Sequence, residues 1–199
     1  MGNQLTAVVL LVAIAGGSMY AAEKTHTVVY VSDVYVGNRD GSSELLGPGR
    51  VPTSGIFAKI GVHLRWHVGE LPPVRSAADG AIKNVFGIRT LEHARGSATP
   101  DALASARIVG SWGTEIAIYK DHLQSFLDRH PSLAGAGAGY VLTHELAHVM
   151  QGIARHAEFG ILKAQWSNDD FEDMIFHKLA FTDFDVDLIH QYAVSRWRR

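Results

Sequence analysis

His144-Glu145-Leu146-Ala147-His148 decides how this chain reads, with Gly152 and His156 following close behind. On an α-helix, residues four apart differ by about 40° and stack one above the other. His144 and His148 therefore present two imidazoles to one point in space. Glu145 lies about 100° round from His144, beside that point. Two histidines and a glutamate in this order have the spacing of a zinc-dependent hydrolase, with the histidines as ligands and the glutamate as general base. Zinc lowers the pKa of water to near 7, so a carboxylate is a sufficient base there.

A bare match to this pattern arises by chance in roughly 2% of chains of this length and composition. Its surroundings sharpen it. Gly135-Ala136-Gly137-Ala138-Gly139 reads as a flexible lead-in. From Tyr140 the pattern predicts a helix, with Val141, Leu142, Leu146, Val149, Met150 and Ile153 apolar on several faces. A helix apolar almost all round is a buried one. Gly152 is a natural terminator, because glycine accepts the left-handed conformation just past a helix end. That turn is what swings His156 back toward the two histidines. The competing reading is a buried helix whose histidines merely pack or bond to backbone. Burying two imidazoles and a carboxylate side by side is costly unless they are paired or metal-bound.

A catalytic zinc takes three protein ligands and keeps one position open. The chain has no cysteine, so thiolates are excluded and the third ligand is a His, Asp or Glu. His156, Glu158 and Glu172 are the candidates. Glu172 lies in the acidic segment Asn168-Asp169-Asp170-Phe171-Glu172-Asp173.

The run from His144 to His156 resembles the metzincin clan of zinc endopeptidases, whose pattern is H-E-x-x-H-x-x-G-x-x-H followed by a methionine turn. The resemblance covers roughly residues 140–166 and implies His144, His148 and His156 as ligands of one Zn2+, with Glu145 as general base. It implies a zincin-like α+β fold: a mixed twisted sheet, an active-site helix and a small C-terminal helical part. It also implies a peptide or protein substrate. Two departures stand out. The connection from His148 to His156 is two residues longer than the pattern, and Phe159-Gly160-Ile161-Leu162-Lys163 carries leucine where the turn methionine is expected. Leu162 has the volume to fill the same space. The stretch is also similar to a group of uncharacterised bacterial exported proteins.

Bulk properties agree with one folded domain. The chain has 199 residues, 47% of them hydrophobic, and a net charge of −2. That charge leaves no footprint for nucleic acid. The run from Leu5 to Ala15 is apolar apart from Thr6, and small residues follow through Ala22. This predicts a signal peptide over 1–22 ahead of a single domain over 23–199, and a secreted or periplasmic protein. An uncleaved anchor is the alternative, although about 11 apolar residues are short for a spanning helix.

Elsewhere, strands are predicted over 25–36, 62–68, 84–91 and 112–119, and helices over 54–60, 99–106, 121–129, 168–179 and 184–197. Residues 38–52 and 69–80, with their Gly and Pro, read as loops. Strand 112–119 is either a cleft edge able to pair with an extended peptide or an interior strand. Thr182 with Asp185 resembles a capping box. His63 and His67 fall on one face of a strand, with no glutamate after His63, and read as surface side chains. Trp166 either lines the site or belongs to the core.

Overall fold

The computed structural model describes residues 30–37, 42–70, 85–93, 102–109 and 113–197. The proposed signal segment lies outside them. Five strands, β1 (Tyr30–Gly37), β2 (Val62–Gly69), β3 (Val85–Leu91), β4 (Ala104–Val109) and β5 (Gly113–Tyr119), form one sheet in the order β2-β1-β3-β5-β4. All neighbours run parallel except β4, which is antiparallel to β5. The helices are α1 (Ser42–Leu46), α2 (Arg50–Ala58), α3 (Lys120–Arg129), α4 (Ala134–Gln151), α5 (Asn168–Ile175) and α6 (Asp183–Trp197). The architecture is mixed α/β, as the sequence predicts.

The strand pattern explains the core. Along β1, Tyr30, Ser32, Val34 and Val36 are buried while their neighbours are partly exposed. Period-two alternation of this kind turns one face of a strand inward. With Ile88, Ile116 and Ile118, Tyr30, Val34 and Val36 join Leu142, Leu146 and Met150 of α4 in one apolar cluster. Helix α4 is buried along most of its length, and it packs against α2, α6 and the β4–β5 end of the sheet.

Three expectations need correction. Residues 134–139 are not a flexible lead-in but the first turns of α4. Glycine is a poor helix former, yet here its missing side chain is what lets the helix seat. A Cβ on Gly139 would lie 2.6 Å from Pro52 Cγ, and one on Gly49 would lie 2.8 Å from the Gly139 nitrogen. Close packing overrides propensity. Residues 42–58, expected to be loop as far as Pro52, are helical. Pro48 and Pro52 fall in first turns, where the missing N–H has no helical partner to lose. The expected helix over 99–106 gives way to β4, whose Ala104, Ser105 and Ala106 pair with Ile118, Ala117 and Ile116; residues 99–101 lie outside the described set. Of the two readings of the strand over 112–119, the interior one holds: β5 sits between β3 and β4, and among the described strands β2 and β4 are the edges.

The close approach sets up a test. Gly139→Ala should destabilise the fold by about 1–3 kcal/mol, the usual cost of overpacking, read as a lowered melting temperature. An unchanged melting temperature would show that α4 has room to shift.

Candidate metal centre

Helix α4 delivers the first two histidines and stops where the third must turn back. Gly152 adopts φ +69°, ψ 13°, and its N–H donates to the His148 carbonyl. A Cβ there would meet the Tyr192 ring at 2.8 Å, so both backbone and space call for glycine. Beyond the turn, residues 157–163 fold on themselves. The Ala157 N–H donates to the Leu162 carbonyl at 2.7 Å, and Ala157 bridges to Lys163. Ile161 and Leu162 are fully buried, so Leu162 serves as core filling in the turn.

His144, His148 and His156 come together. One ring nitrogen from each lies within 4.8 Å of the others, and they are the one such group of three or more His, Cys, Asp or Glu among the described residues. Their exposure is graded: His144 is 9% exposed, His148 half-buried and His156 exposed. Glu172 is exposed on α5, and neither it nor Glu158 belongs to the group. His63 and His67 are exposed on β2, where His67 contacts Asp33 at 2.9 Å.

Ring orientation follows from the hydrogen bonds. His144 Nδ1 lies 2.9 Å from the Ile161 carbonyl. A carbonyl only accepts, so Nδ1 carries the proton and Nε2 keeps its lone pair. That Nε2 lies 2.9 Å from His148 Nε2. Two ring nitrogens this close need a proton or a cation between them. The Ile161 carbonyl also accepts from Trp166 Nε1 at 3.1 Å, and the Trp166 ring meets His144 edge-on at 5.5 Å. A backbone oxygen holding the far nitrogen of a ligand histidine is the usual support at metal sites. Ile161 carried no sequence signal, because the group that acts is its backbone.

Burial, with the neighbouring His148, lowers the His144 pKa to about 4. Burial, with His156 nearby, does the same for His148. Both are therefore neutral at pH 7, the state a metal requires. Burial raises the Glu145 carboxyl to about 7. It has no hydrogen-bond or ion-pair partner among the described residues, so it is free to exchange a proton near neutrality.

These shifts give a sign to the pH dependence of the metal-free chain. From pH 6.5 down to about 4 the unfolded state binds protons at His144 and His148 that the folded state refuses, so stability falls with falling pH. Glu145 acts in the opposite sense between 4.5 and about 7, with one proton against two. The melting temperature in chelator should therefore drop on acidification across this window, and saturating zinc should hold it up near pH 6. A flat profile in chelator would contradict the burial of the two imidazoles.

The donor set fits zinc: three imidazoles, no thiolate, and an exposed side at His156. The architecture around it can be matched to a solved structure. The fold is similar to that of archaemetzincin. The crystal structure of archaemetzincin from Methanopyrus kandleri superimposes with a TM-score of 0.52 at 16% identity, over 85% of this chain and 97% of that one. The archaemetzincin likeness is one of fold. No protein-family profile matches the chain, and no curated protein does.

Proposed function

We propose that this chain is a zinc-dependent endopeptidase that acts outside the cytoplasm. The observation that carries the reading is the meeting of His144, His148 and His156 within 4.8 Å, with the half-buried Glu145 next to His144 in the chain and unpaired among the described residues. Bound there, zinc supplies Lewis acidity to a scissile carbonyl and lowers the pKa of water. Glu145 takes the proton from the attacking water and returns it to the leaving amine. The Ile161 carbonyl keeps His144 in the tautomer whose Nε2 faces the site. The archaemetzincin-like fold supports the class of reaction. The edge of β4, which pairs with no further strand among the described residues and beside which α4 packs, offers an extended peptide a row of main-chain partners. Export rests on the apolar run at residues 5–15 and the small residues after it.

Zinc analysis of protein purified without a histidine tag, followed by digestion of an unfolded protein and a broad peptide library, tests this. Stoichiometric zinc and cleavage are expected. Absence of zinc would overturn the metal reading. Zinc without any cleavage would favour a non-peptidase hydrolase or a catalytically silent zinc domain. Cell fractionation tests export, and retention in the cytoplasm would refute it.

A further inference from the structure

The connection from His148 to His156 is longer than the metzincin pattern, so something must fix where His156 stands. Its neighbour Arg155 is tethered. One Arg155 Nη pairs with the Asp185 carboxylate, and the other donates to the His156 carbonyl at 3.3 Å. The guanidinium also lies 4.8 Å over the Phe184 ring. Asp185 is fully buried and shared by three elements. It closes the cap of α6, accepting from Thr182 N–H at 3.2 Å and Thr182 Oγ1 at 2.7 Å. It accepts from Gln151 Nε2, the last residue of α4, at 3.3 Å. Its remaining partner is Arg155. One buried carboxylate thus joins the end of the helix bearing His144 and His148, the start of α6 and the residue next to His156.

We propose that Arg155 and Asp185 are positioning residues that clamp the lengthened loop so that His156 reaches the metal. The proposal rests on the zinc reading above. An acid needed only to cap α6 has no need of a cation: Thr182 already satisfies its capping role. A buried carboxylate is retained at low cost only when its charge is matched, and the match comes from the loop that carries the third ligand. The fork of Arg155 spans Asp185 and the His156 carbonyl together, which a lysine cannot do in the same geometry.

The test is zinc affinity of the full chain, measured by competition with a chromophoric chelator, alongside melting temperatures in chelator. Asp185→Asn keeps a capping oxygen but removes the charge. It and Arg155→Met should each weaken zinc binding about 10–100-fold, the range for groups that orient a metal ligand. Arg155→Lys should recover only part of that loss. In a His156→Ala background, Asp185→Asn should cause no further loss, because the residue it positions is gone. Equal zinc affinity in wild type, Asp185→Asn and Arg155→Met would overturn the clamp while leaving the zinc reading intact. So would a loss of the same size with and without His156. If Asp185→Asn fails to fold, the partly exposed Arg155→Met and its His156→Ala combination decide the matter. A wild type that binds no zinc would instead overturn the reading on which the clamp depends.

Discussion

Glu145→Gln should bind zinc as tightly as the wild type and cleave an unfolded protein substrate about 100–10,000-fold more slowly, the range that a general base contributes. The amide is nearly isosteric, so the packing of α4 is retained, but it takes no proton from water at neutral pH. The half-buried carboxyl with its pKa near 7 makes this the largest expected single effect on activity. Burial without a hydrogen-bond partner among the described residues costs stability in the wild type, so the variant should melt no lower in chelator. Undiminished cleavage by zinc-loaded Glu145→Gln would remove Glu145 from the reaction.

Zinc itself should stabilise the chain strongly. Free zinc at a thousandfold excess over its Kd adds about 4 kcal/mol, which corresponds to roughly 8–16 °C in melting temperature for a domain of this size. His156→Ala should abolish most of that gain at the same zinc concentration, because among the described residues only His156 brings a third nitrogen to the pair on α4. Glu172→Ala and Glu158→Ala should leave the gain intact. A full zinc-dependent gain in His156→Ala would mean that two histidines suffice or that another group serves as third ligand.

Much of the site was legible because it is local. Residues four apart on a helix share a face whatever surrounds them, so His144 and His148 could be paired from spacing alone. Gly152 likewise announced its turn. Thr182 and Asp185 were readable as a cap, and the capping hydrogen bonds are present. What sequence did not carry was non-local. The Ile161 carbonyl holds His144 from 17 residues away, and Asp185 meets Arg155 across 30. The misread segments failed for one shared reason. Gly and Pro at 47–52 and the Gly/Ala run at 134–139 disfavour a helix as isolated peptides, whereas each is helical because it packs against the other. Residues 104–106 went the same way, drawn into the sheet by pairing with β5.

That mutual packing bears on how the molecule tolerates change. Where Gly49 and Gly139 meet, α4 rests on backbone and a proline ring, with Thr53 Oγ1 donating to the Gly139 carbonyl at 3.0 Å. At this point the depth of the helix is set by main chain and a proline ring. Trimming Leu142 or Ile116 should therefore loosen the core while leaving this backbone seat of the histidine-bearing helix in place. Thermal robustness and the placement of the imidazoles are two separate dials, and an engineer could turn the first while leaving the second where it stands.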